Sequence, residues 1–111
     1  MARFYIKAGD RYPAISATLR DANEAAVDLT GISGTHFHMA SVPGRSPAKV
    51  DAAASIVGLP IAGVVRYDWA VGDTDTPGEY YAEWEVTFGD GKTESFPNWE
   101  HTMIIITEDV A

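Results

Sequence analysis

A chain of 111 residues, 46% hydrophobic and 22% charged, is long enough to bury one core, and residues 1–111 read as a single domain. Sixteen acids against eight Lys and Arg give a net charge of −8, with the basic residues scattered singly, so a nucleic-acid partner is not expected. There is no cysteine, no apolar run of membrane length and no apolar core in the opening MARFYIKAGD; disulfides, thiolate chemistry, a membrane partner and a secretory signal are therefore not expected either.

In chain order, RFYIKA alternates, with Phe4 and Ile6 on one face. PAISATLR places Ile15, Ala17 and Leu19 together, and DANEAA and VDLTG follow as turn-rich connections. THFHMA sets Phe37 and Met39 opposite His36 and His38, and VPGRSP breaks the chain. The alanine-rich VDAAASI is too short for a stable helix and is predicted to be extended. GVVRYDWA stacks Val65, Tyr67 and Trp69 on one side, and GDTDTPG turns the chain again.

From Tyr80 to Phe88 the alternation is strict. Tyr80, Ala82, Trp84, Val86 and Phe88 share one face, and Tyr81, Glu83, Glu85 and Thr87 the other, continuing from Glu79. Period two over that length predicts a half-buried strand whose glutamates are solvated. Gly89-Asp90-Gly91 then closes a hairpin; a three-residue loop aims Phe96 at the face of Trp84, a two-residue loop aims it away. TMIIIT is predicted to be either a central strand covered on both faces or an interface strand. The pattern as a whole is that of an all-β protein, an antiparallel immunoglobulin-like β-sandwich of about seven or eight strands. Its core is expected to rest on Tyr67, Trp69, Tyr80, Trp84, Val86 and Phe88.

Chemistry is sparse. His36 and His38, two apart on a strand, emerge on one face and could ligate a metal with His101 or an acid as third partner, but they also alternate with core residues as ordinary polar positions would. Asp73, Asp75 and Glu79 resemble part of a calcium loop without its spacing, because Pro77 interrupts it. Glu83 and Glu85 share a strand face and could be a carboxylate pair, or simply a wet one. No GxSxG, GxGxxG or phosphate-loop motif occurs. The expectation is no enzyme, no catalytic residue, no metal and no cofactor. Aromatic rings at Trp99 and Tyr81 could instead offer an exposed platform for a partner or a sugar, with Asn98 beside them, or Trp99 could simply plug the end of the sandwich.

The order TLRDAN, VDLTG, THFHMA, GVVRYDW, GDTDTPGEY and VTFGDGKTESFPN, closed by a hydrophobic strand, resembles the immunoglobulin-like domain found at the N-terminus of tailed-phage baseplate upper proteins and in small prophage virion proteins. The resemblance covers about Arg11 to Thr107. It implies a non-catalytic structural virion protein of the tail, baseplate or head, partnered by other phage virion proteins and oligomeric within the particle. Made in the bacterial host cytoplasm, such a protein would reside in the virion. Capsid decoration and carbohydrate adhesion at the particle surface are the alternatives. On that reading RFYIKA and TMIIITEDV are the edge or interface elements, and Tyr81, Trp99, Ile104 and Ile106 the interface residues.

Overall fold

Alternating bulky and polar side chains resolve into two facing sheets. The computed structural model describes residues 2–42, 48–98 and 101–110. Among them are β1 (Arg3–Lys7), β2 (Ile15–Thr18), β3 (Gly34–Ser41), β4 (Val50–Ala53), β5 (Ser55–Ile56), a 3-10 turn (Pro60–Ala62), β6 (Val64–Tyr67), β7 (Gly78–Thr87), β8 (Thr93–Phe96) and β9 (Thr102–Thr107). The larger sheet runs β1-β9-β7-β3-β4, with β8 also paired to β7; the smaller runs β2-β6-β5. The chain is therefore a β-sandwich, as its alternation requires.

β7 organises the larger sheet. It pairs along its length with β3, from Gly34↔Thr87 to Ser41↔Tyr80, while its other edge is shared by β9 at Gly78–Ala82 and β8 at Trp84–Thr87. Tyr80, Ala82, Trp84 and Val86 are buried, whereas Tyr81, Glu83, Glu85 and Thr87 keep partial contact with solvent. The wet glutamate face is confirmed.

The core fills the space between the sheets. Phe37 lies at its centre, 4.8 Å from Trp84, 4.9 Å and stacked on Tyr67, and 5.7 Å edge-on to Trp69, measured between ring centroids. Such offset and edge contacts are the favoured aromatic geometries. The polar tips are also satisfied. Trp69 Nε1 donates to the Pro13 carbonyl at 3.1 Å, and the Tyr80 hydroxyl to the Thr76 carbonyl at 2.7 Å.

Several expectations need correction. Phe88 is only partly buried, because β7 ends at Thr87 and Phe88 opens the hairpin, its N–H donating to Lys92. Ile104 and Ile106 are not interface residues. They are 0% and 2% exposed, facing inward opposite Tyr80 and Gly78. β9 is central rather than an edge, lying between β1 and β7, and its outward Met103 and Ile105 are half-buried instead of covered. The sandwich is not wholly antiparallel, since β1 pairs β9 in parallel. VDAAASI is extended as expected but splits at Ala54, with β4 in the larger sheet and β5 in the smaller. The hairpin takes the three-residue form, which places Phe96 opposite Trp84.

Candidate functional site

A recess of about 350 Å³ opens between the sheets where β2 ends and the chain passes from β8 to β9. One wall comes from Ala17, Leu19 and the turn after them; the other from Trp84, Phe96, Pro97 and Thr102, with Ala2 at the side. Trp84 and Phe96, each 2% exposed, make a packed aromatic floor. Arg20, Asp21, Glu24 and Asn98 stand around the mouth.

The rim is built rigidly by local hydrogen bonds. Asp21 Oδ1 accepts from the backbone N–H of Asn23 at 2.8 Å and of Ala25 at 3.1 Å, an Asx arrangement that closes the turn. Arg20 Nη1 donates to the Glu24 carbonyl at 3.1 Å, and Arg20 bridges Ala26. Across the mouth, Asn98 Nδ2 donates to Glu94 Oε2 at 2.9 Å and to the Ser95 carbonyl at 3.1 Å. Asp21 is thus spent on structure. The mouth carries one cation and two carboxylates, so it favours no polyanion.

The histidines gather elsewhere, on the outer face of the larger sheet. His36 and His38 share a face, as their spacing predicts, with rings stacked 6.1 Å apart. His38 Nδ1 lies 3.3 Å from Asp51 Oδ1 and its Nε2 3.6 Å from Glu85 Oε1. His101 Nδ1 lies 3.7 Å from Glu83 Oε2, and its ring stacks on Tyr81 at 4.7 Å. His38 and His101 thus face different carboxylates. Among the described residues no three His, Asp or Glu groups converge as a metal site would need. Glu83 and Glu85 face different histidines and do not form a working pair. Tyr81 is covered by His101, so it offers no open platform, and Trp99 lies outside the described residues.

The acids of the GDTDTPG turn are likewise committed to structure. Asp73 Oδ2 accepts from the Tyr67 hydroxyl at 2.5 Å and from the Ala70 N–H at 2.8 Å. Burial first, and then the Asp73 carboxylate, push Tyr67 ionisation well above its ordinary range, so the hydroxyl stays a donor. Asp75 Oδ1 accepts from Lys49 Nζ at 2.6 Å, which holds its carboxyl below the usual carboxylate range. Glu79 lies exposed on β7. Asp73→Ala leaves the partly buried Tyr67 hydroxyl without its carboxylate acceptor and is expected to cost about 1–3 kcal/mol in urea unfolding. Adding Tyr67→Phe to that variant should cost little more, because the orphaned group is then gone. Full additivity of the two substitutions would contradict the pairing.

No family model matches the chain, and no curated protein does. A solved structure does match across its whole length. The crystal structure of CopC from Methylosinus trichosporium OB3b superposes with a TM-score of 0.56 at 11% identity, covering 100% of this chain and 89% of that one. The shared feature is the β-sandwich. At that identity the likeness establishes the fold alone. The comparison also corrects the expectation of a phage virion protein. A structure that matches the whole chain is CopC, and no phage relative stands beside it, so a baseplate, tail or capsid-decoration role and residence in a virion find no support among the comparisons. The resemblance of motifs rested on turns and alternation, which many β-sandwiches share.

The cleft was missed by sequence reasoning. Its lining joins residues 2–24 to residues 84–102, and no local motif marks it. The nearest signal was the small side chains of Ala17 and Ala22, where bulk would have closed the recess.

Proposed function

We propose that this chain is a non-catalytic binding module that takes a small, neutral organic ligand with a flat apolar body into the cleft between its sheets. The supporting observation is the recess itself. Its volume of about 350 Å³ falls within the roughly 300–1,000 Å³ of small-molecule sites, and it pairs an apolar floor with a few polar groups at the mouth. Trp84 and Phe96 would stack on the ligand body, and the Arg20 and Asn98 side chains would meet polar groups at its edge. Absence of catalysis is part of the proposal: the Asp21 carboxylate is bound to backbone amides, and among the described residues no serine or histidine lines the cleft. Kinship with the immunoglobulin-like domains that the motifs resemble is proposed only at the level of descent.

The test is a screen of planar, uncharged fragments by ligand-observed NMR on the wild-type protein and on Ala22→Trp. Ala22 is exposed on the turn beside the recess, so an indole there fills the mouth without entering the core. Fragments should bind the wild type and lose about tenfold or more in affinity to the variant. An absence of hits, or hits indifferent to the block, would remove the proposal.

A further inference from the structure

The outer face of the larger sheet carries a charge pattern that complements itself. Its central strip is mainly apolar: on β9 the outward side chains are Met103 and Ile105, half-buried, with Thr107 at the end beside Lys7. β1 on one side presents the exposed Arg3, Tyr5 and Lys7. β7 on the other presents Glu79, Tyr81 and Glu83. The register aligns them in rows, Tyr5 with Ile105 and Glu79, and Arg3 with Met103 and Tyr81. A basic strand and an acidic strand thus flank an apolar one. Tyr5 is 63% exposed, a large ring left at the surface. Among the described residues neither Arg3, Lys7 nor Glu79 has an ion-pair partner, so their charges are unspent within one chain.

We propose that this face docks on a second copy of the chain, as a two-fold dimer whose axis runs along β9 between two stacked sheets. That operation sets Met103 and Ile105 of one copy against the same residues of the other. It also lays each basic β1 over the acidic β7 of its mate. Arg3 then falls between the rows of Glu79 and Glu83 of the second copy, and Lys7 one row from Glu79. A two-fold interface must be self-complementary in this way, and opposite charges across it fix the register while penalising the alternatives. Size is no obstacle. A standard interface takes roughly 800 Å² per partner, about an eighth of the chain's 6539 Å² surface. The inter-sheet cleft is not part of this face, so its occupancy and dimerisation are separate properties.

Sedimentation equilibrium decides it. The wild type should sediment at twice the chain mass of 12.0 kDa in the micromolar range. Ile105→Arg, which points away from the core, should weaken the dimer about tenfold or more, and Arg3→Glu should weaken it in the same direction. Combining Arg3→Glu with Glu83→Arg restores opposite charges in both copies and should recover the dimer. A wild type that stays monomeric at high micromolar concentration would overturn the proposal, as would a dimer unaffected by Ile105→Arg or a charge swap that rescues nothing. Concentration-dependent amide shifts in the wild type give a readout independent of variants. They should cluster on β1, β9 and β7, and shifts confined to the smaller sheet would overturn the proposal equally.

Discussion

Trp84→Ala is expected to lose about 3–5 kcal/mol of folding stability, the range for removing a packed aromatic from a core. The residue is 2% exposed, lies 4.8 Å from Phe37 between ring centroids, and pairs across the hairpin with Phe96. Its indole also floors the cleft, so the hole left behind would be continuous with the recess instead of collapsing. Small domains hold only about 5–15 kcal/mol in total, so the variant should sit near the edge of folding. The measurement is the urea midpoint. Glu83→Ala, on the other face of the same strand, is the control and should move stability by no more than about 0.5 kcal/mol. Equal losses from the two substitutions would mean that the rings of β7 do not face inward.

Gly63→Ala is the second large effect. Gly63 has φ of +71°, and a Cβ there would stand 2.7 Å from the Val27 carbonyl oxygen and 3.2 Å from that of Leu19. Those are backbone atoms within a ladder: Leu19 N–H donates to the Gly63 carbonyl, and Val27 N–H to the Leu19 carbonyl, each at 2.8 Å. Neither can yield without opening the smaller sheet's margin. The left-handed backbone costs about 1–2 kcal/mol for a side chain and the forced displacement about 1–3 more, so a combined loss of about 2–5 kcal/mol is expected. Gly58→Ala separates the two contributions. Gly58 has the same φ of +71° with nothing within 4 Å of its Cβ position, so only the backbone cost applies there. Leu19 and Arg20 border the cleft, so Gly63→Ala should also weaken fragment binding, whereas Gly58→Ala should not. Thermal unfolding of both variants, followed by the fragment assay, checks each part.

The sequence made the strands legible where alternation was strict. β7 could be read residue by residue, because nine positions of period two leave one assignment of faces. β3 was equally clear, with Phe37 and Met39 turned in and the histidines out. β9 was not, because the run Ile104-Ile105-Ile106 hides its parity. Only pairing with Tyr80 and Gly78 sends the first and third inward and leaves Ile105 at the surface. The role of Phe37 as the ring on which Tyr67, Trp69 and Trp84 converge depends on two sheets meeting, which no single strand announces. The cleft is a gap between elements distant in sequence, so composition and motifs were blind to it. The virion expectation failed for the opposite reason: turn motifs in a familiar order describe a scaffold, and a scaffold does not carry its function with it.

The most direct measurement is the position of a bound fragment in a crystal of the wild-type protein. The account predicts density between Ala17 and Leu19 on one side and the rings of Trp84 and Phe96 on the other, with Arg20 or Asn98 at its polar edge. Density found only against Tyr81 and His101 on the outer sheet face, with the inter-sheet recess empty, would contradict it.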